Sequence, residues 1–144
     1  MTGSMQPLID ALNEDLAFEY AAIIQYITFA AMVKGIHRRE LHEFFLAEIL
    51  DEVEHAKYLA EKIVALGGEP VTTPKPFPIV SSPKEMLEAI YEAEKTTVER
   101  YTEHARLAEQ LGAKDVQVKL EDIIVEEANH RDEVAKILWM YQGD

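Results

Sequence analysis

Apolar residues recur in steps of three and four along four long stretches of this chain, and each such stripe predicts a helix with one face turned to a core. The first, over about residues 6–34, reads Leu8, Leu12, Leu16, Glu19, Ile23, Tyr26, Ala30 and Val33. The second, about 38–66, carries Leu41, Phe45, Glu48, Glu52, His55, Leu59 and Ile63. Leu87, Tyr91, Glu94, Val98, Tyr101, Ala105 and Ala108 line the third, over about 83–111. The fourth, about 115–141, presents Val116, Leu120, Ile123, Glu127, His130, Val134, Ile137 and Leu138.

The punctuation between the stripes agrees with them. Gly35 and Gly112 mark tight turns, and Gly67-Gly68 ends the second helix, as glycines after a helix do. Ser82-Pro83-Lys84-Glu85 has the form of a capping box with proline at the first helical position. Asp115 is placed to cap the fourth helix. Residues 67–82 hold Pro70, Pro74, Pro76 and Pro78 and cannot be helical. Extended at ~3.1 Å per residue they reach roughly 50 Å, more than the ~43 Å length of a 29-residue helix. The segment can therefore return to the far end of a bundle, so the second and third helices would run parallel. The fold expected is all-α: a four-helix bundle of two antiparallel hairpins joined by a long crossover. It forms one domain over 5–144, with Met1–Ser4 left outside it.

Several polar residues stand on these apolar seams, and they are repeated. Advancing by 75 positions carries Glu19 onto Glu94, Tyr26 onto Tyr101, Glu52 onto Glu127 and His55 onto His130, which reads as a duplicated helical hairpin. The midpoints of 19 and 52 and of 94 and 127 fall beside Gly35 and Gly112, so the two glutamates of each hairpin should lie at one height. Within each repeat a glutamate precedes a histidine by three places, and positions three apart share a helix face. A carboxylate and an imidazole aimed at one point are what a first-row transition metal requires. An unpaired ionised carboxylate on such a seam costs several kcal/mol. Four of them without metal form a repulsive cluster, whereas two divalent ions balance their charge and two neutral imidazoles add none. A protonated polar layer would account for the acids but not for the histidines or the doubled spacing.

Charge and composition narrow the partners. The net charge of −13 disfavours nucleic acid and anionic membranes and favours small cations. No cysteine is present, which excludes thiolate metal sites and leaves nitrogen and oxygen ligands. The apolar stretch Leu16–Val33 is interrupted by Glu19, Gln25 and Thr28 and reads as a buried helix, not a membrane span. With no secretory signal pattern, the expected location is cytoplasmic. A second apolar face on the first helix (Phe18, Ile24, Ile27, Phe29, Ala31) predicts a homo-oligomer, at least a dimer through that face. The other faces of the third helix, with Glu92, Lys95, Glu99, Arg100, Glu103 and Arg106, should meet solvent. His37, His42 and His104 match no repeat and are read as surface residues.

The doubled Glu…Glu-x-x-His set resembles that of ferritin-like di-iron carboxylate bundles, in the bacterioferritin and rubrerythrin branch, over nearly the whole chain. The resemblance implies two iron ions per chain. Glu19 and His55 would hold one and Glu94 and His130 the other, with Glu52 and Glu127 bridging. A manganese or mixed manganese–iron pair is the alternative. It also implies Tyr26 and Tyr101 as tyrosines beside the metals or active in redox steps. Asp51 and Glu126, each directly before a bridging glutamate, would accept hydrogen bonds from His130 and His55 respectively. Some family features are missing. Val53 stands where bacterioferritin has its haem-ligating methionine, so no haem is expected. Thr97 stands where rubrerythrin has a further glutamate, and no short fifth helix is expected after Tyr141. The inter-subunit motif of the dodecameric starvation-induced miniferritins is not seen. The implied activity is that of a ferroxidase- or peroxidase-type oxidoreductase acting on Fe(II) with O2 or H2O2. An O2-activating oxidase or hydroxylase of an organic substrate is the alternative.

Overall fold

The computed structural model describes residues 5–141, which form four α-helices and a terminal 3-10 turn, Trp139–Tyr141. The helices are α1 (Gln6–Met32), α2 (Arg38–Ala65), α3 (Pro83–Gln110) and α4 (Lys114–Leu138). The chain divides into two compact units, one ending at Ser81 and one beginning at Ser82. Each unit is one helical hairpin with its own buried seam. None of the described helices is long and apolar enough to cross a membrane.

In the first unit the seam of α1 is buried as its spacing requires, from Leu8 through Leu12, Leu16 and Tyr26 to Val33, and Leu41, Phe45, Leu59 and Ile63 of α2 are buried too. Tyr26 and Phe29 both pack on Phe45, with ring centroids 6.3 and 6.4 Å apart. The helix stops at Met32, two residues before the sequence limit, because Val33 turns to extended backbone (φ −61°, ψ 133°). Its last carbonyls are then satisfied from the next helix. Nη1 of Arg38 donates to the carbonyls of Val33 at 2.6 Å and Ala30 at 3.2 Å, a cation set on the negative end of the helix dipole. Replacing Arg38 by Met should keep the aliphatic stem and lose these bonds, lowering stability by about 1–2 kcal/mol, read as a shift in the urea midpoint at unchanged slope.

The end of α2 is a Schellman motif. The N–H of Gly68 donates to the carbonyl of Ile63 at 2.8 Å and that of Gly67 to Val64 at 3.0 Å, with Gly67 at φ 93°. Gly68 serves a different purpose, close approach: a Cβ there would lie 2.5 Å from Cγ2 of Ile9 and 3.1 Å from Cγ2 of Ile63. Both are branch methyls fixed next to the backbone and cannot swing aside. Gly68→Ala should therefore destabilise by about 1–3 kcal/mol, measured by thermal melting.

From that point the proline-rich crossover runs back along α1, as its length permits. Asn13 clamps its start, donating from Nδ2 to the carbonyl of Glu69 at 3.0 Å and accepting at Oδ1 from the N–H of Val71 at 2.9 Å. Further along, the N–H of Lys75 donates to the carbonyl of Ala17 at 3.1 Å, and its Nζ stands 5.5 Å from the centre of the Phe18 ring. Phe77 meets Phe29 edge-on at 6.2 Å. This revises one expectation. Part of the second apolar face of α1 is covered by its own crossover, and Ile24 and Ile27 are the large residues of that face left exposed.

In the second unit Ser82 and Glu85 form the reciprocal capping box, Oγ of Ser82 accepting from the N–H of Glu85 at 3.1 Å. A second Schellman motif closes α3: the N–H of Ala113 donates to Ala108 at 2.9 Å and that of Gly112, at φ 76°, to Glu109 at 3.1 Å. Asp115 does not cap α4. The helix starts one residue earlier, at Lys114, and its N-cap position is Ala113, which is buried and offers no side-chain oxygen. Asp115 lies instead in the first turn, where a carboxylate favours the positive end of the dipole. At its other end α4 passes after Leu138 into the 3-10 turn, short of the expected 141. Residues 1–4 and 142–144, which the sequence limits of the domain involve, lie outside the described residues.

Candidate metal centre

Each unit brings three of the predicted side chains together. In the first, Glu19 comes from α1 and Glu52 and His55 from successive turns of α2. All three are buried, and each offers a ligand atom within 4.8 Å of the other two. Nδ1 of His55 lies 3.6 Å from Oε1 of Glu19. In the second unit Glu94 comes from α3 and Glu127 and His130 from α4, again buried and again with ligand atoms within 4.8 Å of one another. Nδ1 of His130 lies 3.3 Å from Oε1 of Glu127. The local reason is the same in both hairpins. A three-residue step on a helix stacks Glu over His, and the facing helix delivers the third carboxylate at the same height.

The donor set suits a transition metal. Two donors each ~2.1 Å from one ion stand at most ~4.2 Å apart. The nitrogen–oxygen separations of 3.6 and 3.3 Å lie inside that limit, so each triad could close on an ion with small side-chain adjustments. Imidazole with carboxylates and no thiolate is a borderline-to-hard set, suited to iron, manganese or zinc. Burying three carboxyl or imidazole groups in one place also costs free energy that an ion would offset.

The neighbouring residues differ between the repeats. Tyr26 and Tyr101, each seven positions beyond a glutamate of α1 or α3, are fully buried. Tyr26 packs on Phe45, whereas the guanidinium of Arg100 stands 5.7 Å from the centre of the Tyr101 ring. Asp51 is exposed and Glu126 half-buried. His37, His42 and His104 are half-buried, not fully on the surface. His37 pairs with Glu40 at 3.6 Å.

Sequence reasoning missed three buried polar side chains. Asp15 is fully buried, one turn before Glu19, and Gln25 is buried beside Tyr26. The signal for Asp15 was available, since Leu8, Leu12, Asp15 and Glu19 continue one stripe. Arg100, assigned to solvent, is 9% exposed, and its Nη2 lies 3.4 Å from Oγ1 of Thr97, one turn back. A charged residue on a polar helix face is read outward by default, and only packing can reverse that.

Comparison with known proteins identifies the family. Residues 9–142 match the ferritin-like domain family. The chain is similar to a bacterioferritin of Desulfovibrio desulfuricans, 32% identical over 127 residues that cover 85% of this chain and 69% of that one. It is also similar to a DNA protection during starvation protein of Halobacterium salinarum, 34% identical over 72% of this chain and 63% of that one. Among solved structures, a ferritin-like diiron-carboxylate protein from Bacillus anthracis superposes with a TM-score of 0.93 at 46% identity, covering 96% of this chain and 99% of that one.

Proposed function

Because this chain belongs to the ferritin-like domain family, we propose that it is a di-iron oxidoreductase that takes Fe(II) and oxidises it with O2 or H2O2, in iron handling or defence against oxidants. The observation that carries the proposal is the pair of buried triads, each with two carboxylates and one imidazole converging within 4.8 Å. A single accidental cluster would not recur 75 residues later with the same residue types in the same order.

In this reading Glu19 and His55 would hold one ion and Glu94 and His130 the other, with Glu52 and Glu127 available to both. When bound, the iron pair supplies two electrons, which with two protons convert O2 to H2O2, or H2O2 to two waters, leaving two Fe(III). The chain contributes the rest. Its carboxylates would neutralise the ions, and buried seam residues such as Leu16, Tyr26, Leu59 and Ile123 exclude bulk water. Asp51 is assigned to the imidazole of His130 and Glu126 to that of His55, each accepting a hydrogen bond that fixes the ring tautomer. Tyr26 and Tyr101 stand as donors of a proton or an electron at their phenol oxygens. Ile24 and Ile27, exposed on α1, provide an apolar contact for self-association. Repulsion from phosphate opposes DNA as a partner at a net charge of −13.

The test is rapid mixing of metal-free protein with Fe(II) and then with O2 or H2O2. Ferric absorbance should rise to an end point at two irons per chain. A linear response with no break at that ratio would exclude a dinuclear centre. Metal analysis of protein from its native host decides between iron and manganese.

A further inference from the structure

We propose that Asp15 and Arg100 make the two triads unequal as metal sites: the triad of the first unit takes the first divalent ion and keeps it, and the triad of the second holds the ion that exchanges. The inference rests on the di-metal reading above and concerns what the duplication did not copy.

The two repeats agree at their ligands and differ at two other buried positions. Asp15 is fully buried, and 75 positions further on stands Ile90, also buried. Gln25 is buried, and its counterpart is Arg100. Each exchange sets a neutral side chain in one copy against a charged one in the other. Both charges lie close to the ligands of their own unit. Asp15 is one turn before Glu19 on α1, ~6 Å at the helical rise. Arg100 is six residues beyond Glu94 on α3, ~9 Å along the axis. Its Nη2 lies 3.4 Å from Oγ1 of Thr97, a residue between the two, so the guanidinium leans back toward Glu94.

The consequence is a difference in charge. Among the described residues, the buried charged groups of the first unit are Asp15, Glu19 and Glu52, all acids. Those of the second are Glu94 and Glu127, offset by Arg100, and both ligand histidines are neutral. Half-buried groups do not reverse this. Glu48 and Lys62 cancel in the first unit, and Lys119 and Arg131 outnumber Glu126 in the second, with Arg131 paired to the exposed Asp132 at 3.2 Å. A divalent ion feels each such charge twice as strongly as a monovalent one, and most strongly where water is excluded. The first triad is also the drier, since His55 is 2% exposed and His130 9%. The more negative site is therefore the more closed, and uptake and release pass through the second hairpin.

Co(II) titration of the metal-free chain tests this, followed by visible absorbance and by the paramagnetically shifted imidazole resonances, assigned with His55→Gln and His130→Gln. Binding should occur in two steps at least about 30-fold apart, and the His55 resonances should move before those of His130. Asp15→Asn, nearly isosteric, should weaken the first step about 10-fold and leave the second nearly unchanged. Arg100→Gln, which restores the residue type of the first repeat, should tighten the second step about 10-fold, whereas Arg100→Lys keeps the charge and should behave as wild type. Circular dichroism of each variant checks that the helices persist. Two equal steps, a first shift at His130, an Asp15→Asn titration identical to wild type, or Arg100→Gln and Arg100→Lys acting alike would each overturn the proposal. If Fe(II) oxidation is intact in such a case, only the inequality falls. A chain that takes up no Co(II) and oxidises no Fe(II) would overturn the di-metal reading together with it.

Discussion

Glu19→Ala and Glu94→Ala are each expected to slow Fe(II) oxidation by at least about 100-fold, although they lie in different hairpins. The reason is the electron count. Reducing either oxidant by two electrons needs both ions, so losing a terminal carboxylate from one triad disables the pair even while the other triad still binds. Glu19 is the ligand that α1 offers to its triad and Glu94 the one that α3 offers, so each variant removes the carboxylate of the facing helix. The double variant should be little slower than either single one, as for groups that act as a unit. Stopped-flow absorbance gives the rates, and far-ultraviolet circular dichroism checks that the helices persist. A single variant that keeps more than about a tenth of the wild-type rate would remove that residue from the centre.

The second large effect is a change of sign. Metal-free protein should be stabilised by divalent metal, with Zn(II) as a probe that takes no part in redox steps. At about 100 times the dissociation constant the gain is about 2.7 kcal/mol, roughly 6–10 °C in Tm for a chain of this size, and EDTA should reverse it. Glu52→Gln and Glu127→Gln then separate a metal site from a structural polar layer. Each is nearly isosteric and removes one negative charge. In the metal-free protein both should raise stability, by about 1–3 kcal/mol, because fewer buried carboxylates repel one another. In the loaded protein both should lower it, because an ion loses an anionic ligand. Calorimetry with and without Zn(II) reads both signs. A hydrogen-bonded polar layer with no metal would shift Tm in one direction under both conditions, and that result would refute the site.

Much of this protein was legible before any coordinates. The α1 and α2 seams are buried nearly residue for residue as their spacing requires, and the Ser82–Glu85 box and the Gly67-Gly68 stop appear where local chemistry placed them. Such features depend on contacts within a turn or two of the chain, which a short window of sequence contains. The triads were legible for another reason: an ionisable group on an apolar stripe is costly, and the same costly pattern was present twice. Asp115 shows the limit. A single residue decides which position becomes the cap, and Ala113 took that place because a buried turn with Gly112 at positive φ set the first helical residue one step early.

Sequence alone thus determined the four helices, the crossover and which six side chains could serve as ligands, because periodicity and duplication are properties of the chain itself. Tertiary structure decided what no periodicity encodes. Asn13 ties down the crossover, Phe77 covers Phe29, Arg38 caps α1, and Arg100 turns inward against Tyr101. The first two join residues far apart in the chain, and the other two depend on which way a side chain turns once the helices have packed.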